Sequence, residues 1–91
     1  MSNKVFTVRD NKAQAYLQPF FLPNEAVAVR GINNCLTDPN HAFSHNPEDY
    51  ALYILGEYDE TTGKFVLLDA PEHLFNVIDL ANSADHELTG E

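Results

Sequence analysis

The sequence predicts an α+β fold: one antiparallel sheet of about four strands in two hairpins, a main helix on one face and a short C-terminal helix, in the order ββαββα. Three observations predict it. Tyr50 to Leu68 contains two apolar strands joined by a turn at Asp59–Gly63. Lys4 to Arg9 alternates in the manner of a strand, with Phe6 and Val8 on one side and Val5, Thr7 and Arg9 on the other. Ala28, Ile32, Cys35 and Leu36 recur at helical spacing behind the capping residue Asn24.

Taken in order, the first strand ends at Asp10-Asn11-Lys12, residue types that favour a turn. Ala13 to Leu22 reads as an edge strand folded back on the first, because Pro19 has no N–H to give a ladder. Alternation there puts Tyr16, Gln18 and Phe20 on one face and Leu17 and Phe21 on the other. The helix from Asn24 carries Gly31 in its middle and stops at Asp38-Pro39. His41 to Asp49 reads as a polar loop. The strand from Tyr50 is apolar on both faces, with Tyr50, Leu52, Ile54 and Tyr58 on one and Ala51, Tyr53 and Leu55 on the other. It is therefore expected to be central and covered on both sides. Asp59–Gly63 has the form of a type I turn closed by a left-handed glycine. Asp69 and Glu72 stand at capping-box spacing, and Leu74, Val77, Ile78 and Ala81 then follow a helical period. The domain spans 1–81, and 82–91 is a polar tail without periodicity.

A chain of 91 residues makes one domain. Domains this small bury only roughly 60–65% of their unfolded surface, so a homo-oligomer is a natural expectation. The lone Cys35 rules out an internal disulfide and fits a reducing compartment. No run approaches the ~20 apolar residues of a membrane span, and none has the form of a signal peptide, so a cytosolic protein with no membrane partner is expected.

The net charge is −9, with only five Lys and Arg. That argues against a surface devoted to duplex phosphates. The charge is uneven: residues 1–47 set Lys4, Arg9, Lys12 and Arg30 against Asp10, Glu25 and Asp38, whereas residues 48–91 set Lys64 against eleven acids, a balance of −10.

No catalytic set emerges, and the protein is expected not to be an enzyme and to need no cofactor. Cys35 has no base or cation among its neighbours and reads as a core cysteine. His41 and His45 lack the further ligands that a zinc site takes, and read as part of a solvated loop, so no metal is expected. Glu48, Asp49, Glu57, Asp59 and Glu60 flank turns, where charge keeps loops solvated. One constellation carries chemistry. Arg9, Lys12, Tyr16 and Phe20 fall in the N-terminal hairpin with Phe21, and Lys4 and Arg30 are candidates to join them. Single-stranded nucleic acid is held by such a mixture, aromatic rings stacking on bases and a few cations meeting the backbone. The other reading is that Phe20 and Phe21 are core or an oligomer contact, and burial is the commoner fate of an aromatic.

The chain resembles the small nonstructural protein of gokushoviruses, single-stranded DNA phages of the Microviridae. The resemblance runs over residues 4–64, through Lys4-Val5-Phe6-Thr7-Val8-Arg9-Asp10, Lys12-Ala13, Gln18-Pro19-Phe20-Phe21, Ala28-Val29-Arg30, Asp38-Pro39, His45-Asn46-Pro47-Glu48-Asp49-Tyr50, Leu52 to Gly56, Asp59 and Thr62-Gly63. Gly31 departs from it, since the family tends to place an aromatic there. The resemblance implies a non-enzymatic DNA-binding accessory protein of viral DNA synthesis or packaging, acting in the cytoplasm of a bacterial host with single-stranded DNA as partner. It brings no catalytic residues. The alternative is an acidic regulator that contacts a phage replication or capsid protein and leaves DNA untouched, an expectation motivated by the −10 balance of residues 48–91.

Overall fold

The computed structural model describes residues 2–82. The chain runs β1 (Ser2–Asp10), β2 (Ala15–Tyr16), β3 (Phe20–Leu22), α1 (Glu25–Leu36), α2 (Ala42–His45), a 3₁₀ turn (Pro47–Asp49), β4 (Tyr50–Asp59), β5 (Lys64–Asn76) and a last helix, α3, over 77–82. This is the expected α+β class, with one antiparallel sheet in the order β2-β1-β4-β5 and β3 also paired to β1. The expected tail at 82–91 lies, but for residue 82, outside the described residues.

The middle of the sheet is the pair β1–β4, in register from Ser2↔Asp59 to Asp10↔Tyr50. Both strands are rich in β-branched and aromatic residues, which suit a buried pleated surface. Phe6, Val8 and Leu52 point to one side. There they join Ala28 and Ile32 of α1, Phe43 of α2 and Val77 of α3 in a single core. All three helices therefore cover the same face.

Local chemistry sets the ends of α1. The Asn24 side chain accepts from the Val27 N–H at 3.0 Å, closing one of the free donors of the first turn. At the other end the Thr37 hydroxyl donates to the Asn34 carbonyl at 2.7 Å. The helix runs through Gly31, which borders an apolar groove of about 380 Å³ shared with Ile32, Cys35, Phe20 and Phe43.

Four expectations are corrected. Ala13 to Leu22 forms two short strands, because the segment around Pro19 leaves the ladder. Tyr16 and Phe20 consequently lie on opposite faces, paired with Arg9 and Phe6 respectively. The polar stretch His41–Asp49 holds a helical turn, in which the Phe43 N–H donates to His41 Nδ1 and the Phe43 ring is buried. The Asp69–Glu72 segment is not a helix start, since β5 stays extended to Asn76 and only 77–82 is helical. Last, β4 is irregular: Ile54 faces Phe6 while Gly56 faces Val5, leaving Leu55 as an extra residue. That insertion moves Tyr58 off the core face, where simple alternation had placed it.

The β4–β5 turn has the expected design. Gly63 has φ +72° and its N–H donates to the Asp59 carbonyl at 2.7 Å. The Asp59 carboxylate accepts from the Thr61 N–H at 2.9 Å. This backbone hydrogen bond, followed by one from the Thr61 side chain, holds the Asp59 carboxyl below its ordinary value. A carboxyl lowered in the folded state contributes stability above its unfolded pKa and loses it as pH falls through the folded value. A ¹³C titration of the Asp59 carboxyl should therefore find its midpoint below that of an aspartate in an unstructured peptide. A midpoint at the peptide value would contradict the turn geometry.

Candidate nucleic-acid interface

The second face of the sheet has no helix over it among the described residues. Its floor is made by small or β-branched side chains of β1 and β4, with Val5, Thr7 and Ala51 buried. The buried Thr7 hydroxyl is satisfied by donating to the Leu17 carbonyl at 2.7 Å. Above this floor stand two groups of aromatic rings.

The first group gathers where β2 and β5 flank the β1–β4 pair. Tyr16 meets Tyr53 edge to face with centroids 5.4 Å apart, and Tyr53 meets His73 in the same way at 5.4 Å. The Arg9 guanidinium lies 5.2 Å from the Tyr16 centroid, a cation–π distance, while its Nε donates to Asn11 Oδ1 at 3.0 Å. His73 Nε2 and Asn76 Oδ1 are 2.9 Å apart, which sets polar edges beside the rings.

The second group lies toward the β4–β5 turn. Phe21, Tyr58 and Phe65 form a triangle with centroid separations of 5.5, 6.0 and 4.9 Å. With Asn3 and Gly63 they line a shallow hollow of about 530 Å³. Tyr16, Phe21 and Phe65 are exposed by 44%, 43% and 52%, too much for rings whose purpose is to fill a core. Tyr53 and Tyr58 face Thr7 and Asn3 across the ladder, so four residues of β1 separate the two groups. At about 3.3 Å per residue that is about 13 Å.

The structure brings together three of the six residues expected to bind nucleic acid. Arg9 and Tyr16 stack on the open face, and Lys12 projects from the adjoining turn, whose N–H groups at Lys12 and Ala13 both donate to Asp10 Oδ1 at 3.1 Å. The other three lie elsewhere. Phe20 turns into the core and stacks on Phe6 at 6.0 Å. Lys4 alternates to the helix side and pairs with Glu57 at 3.6 Å. Arg30 is exposed on α1, beyond the opposite face. Sequence reasoning missed Tyr53, Tyr58, Phe65 and His73. Alternation along β5 does place Phe65 on one face, but the pairing partner that reveals which face is the bulged β4.

Outside this face the chemistry is sparse. Cys35 is a half-buried free thiol packed against the core. Among the described residues there is no cluster of three His, Cys, Asp or Glu side chains able to hold a metal ion. No helix among them is long and apolar enough to cross a membrane.

The chain is a small α+β protein whose sheet has one face covered by helices and, among the described residues, one face that carries aromatic rings and no helix. Comparison with family models gives its kinship: residues 3–80 match the family described as Phage ORF5 protein, and the chain belongs to that family. It is a small phage protein. Comparison with the curated proteins and with the solved structures finds no match.

Proposed function

We propose that the protein binds single-stranded DNA on the open face of its sheet, as a non-enzymatic accessory of phage genome synthesis or packaging in the bacterial cytoplasm. One observation carries the reading: two groups of exposed aromatic rings share this face, one with the Arg9 guanidinium against it. Rings in this position offer stacking platforms, each worth roughly 1–3 kcal/mol per base. A duplex keeps its bases inside, with one phosphate per about 3.4 Å of helix axis on each strand. Platforms about 13 Å apart suit a strand whose bases have been turned out of the stack. Arg9 and Lys12 then meet the backbone at one end. The resemblance to the gokushovirus nonstructural protein points the same way.

The test is fluorescence anisotropy of a labelled oligonucleotide at several salt concentrations. With two cations on phosphates, log K falls against log salt with a slope of about −1.4. The Arg9→Ala/Lys12→Ala double variant flattens that slope, and Tyr16→Ala lowers affinity at every salt concentration. Absence of binding at low salt, or binding that ignores both variants, would sink the proposal.

A second reading has its own support in the charge of residues 48–91, a balance of −10. In it the acidic half contacts a basic replication or capsid protein. Pull-down from infected cells separates the two, because nucleic acid recovered without a protein partner excludes the regulator.

A further inference from the structure

We propose that β5 pairs edge to edge with β5 of a second copy of this chain, over Lys64 to Leu68, to form a closed two-fold dimer with one continuous sheet. β5 is an outer strand of the sheet. Its inner side is bonded to β4, and no strand among the described residues lies beside its outer side. Natural edge strands are normally blunted by charge, proline or brevity. The opposite edge is blunted in this way, since β2 and β3 are two and three residues long and flank Pro19. β5 is not blunted between 64 and 68. Phe65, Val66, Leu67 and Leu68 are exposed by 52%, 71%, 60% and 43%, so the strand shows apolar groups on both its faces.

The open edge is also bounded. Beyond Leu68 the ladder breaks, with Leu67 facing Gly56 but Glu72 facing Ile54. Pro71 lies inside that break and has no N–H to give. What remains is an edge about five residues long, enough for one short antiparallel partner and too short to template an extended stack.

The segment itself is the best candidate for that partner. A two-fold axis normal to the sheet requires one residue to face its own copy, and Val66 is both central and the most exposed. Phe65 then stands opposite Leu67 of the second copy. Lys64 stands opposite Leu68, with its aliphatic stem over that side chain. Every exposed apolar group of the segment gains an apolar neighbour. The contact is isologous, so it closes at two. The same axis leaves both open faces on one side and sets the two Phe21–Tyr58–Phe65 groups next to each other.

Sedimentation velocity on the full chain tests this. The wild type should run at twice the 10.2 kDa chain mass. Val66→Lys places two ammonium groups against each other on the axis and should weaken the dimer at least ~100-fold. Because Val66 is exposed, the variant keeps the wild-type circular dichroism. A wild type that stays at monomer mass at every concentration overturns the proposal, as does a dimer that Val66→Lys leaves intact.

Discussion

Gly56→Ala is expected to cost the fold about 2–5 kcal/mol. Gly56 sits just after the extra residue in β4, at φ +153°, in a region of backbone space that side chains avoid. A Cβ at this position would overlap the Val66 carbonyl oxygen and lie 2.7 Å from the Leu67 Cα. Both are backbone atoms of the neighbouring strand, so no rotamer change relieves them. The conformational term costs about 1–2 kcal/mol and forced overpacking about 1–3 kcal/mol. A domain of 91 residues, at roughly 0.05–0.15 kcal/mol each, has only about 5–14 kcal/mol in all. Urea unfolding followed by far-UV circular dichroism should show a midpoint far below wild type, or no folded baseline. A wild-type midpoint would mean that β4 and β5 do not approach each other here as described.

Phe20→Ala and Phe21→Ala should have opposite phenotypes although the residues are neighbours. Phe20 faces Phe6 across the ladder and packs on the core under α1, while Phe21 faces Val5 and stands on the open side. Truncating a fully buried Phe costs about 3–5 kcal/mol, and Phe20 is half-buried, so a loss of about 2 kcal/mol in stability is expected. Its affinity for single-stranded oligonucleotide, measured below the melting transition, should be unchanged. Phe21→Ala should lower stability by less than about 1 kcal/mol. It should weaken the oligonucleotide roughly 5- to 100-fold, the worth of one stacked base. The two measurements are a thermal melt and an anisotropy titration of each variant. Equal effects of the two truncations on binding would place the DNA somewhere other than the open face.

What the sequence discloses and what it hides follow from the range of the interactions involved. The α1 start at Asn24 and the turn at Asp59–Gly63 are legible because each is settled within a few residues, by a side-chain cap and by a left-handed glycine. The position of Tyr58 is not legible. It depends on one extra residue at Leu55, and that residue is extra only by comparison with a strand some fifty positions earlier. The Asp69–Glu72 cap signal is real locally but loses to a longer-range gain, because an extended β5 satisfies the free side of β4. Phe43 is hidden by its polar neighbours, although its ring reaches the core. The candidate site inherits these limits. Arg9, Lys12 and Tyr16 adjoin one turn and were visible together. The rings of β4 and β5 join them only through the β1–β4 pairing.

That pairing also orders events in time. β1 leaves the ribosome before its partner β4, which is complete only at Asp59, and Ser2 waits for that very residue. Until then the strand has only the two- and three-residue partners β2 and β3. Loop closures of this length must be made before the core rewards them, which slows the folding of such sheets. The nascent β1–β3 segment therefore emerges with Phe6, Val8, Phe20 and Phe21 uncovered, and the aromatic face exists only once β5 has followed.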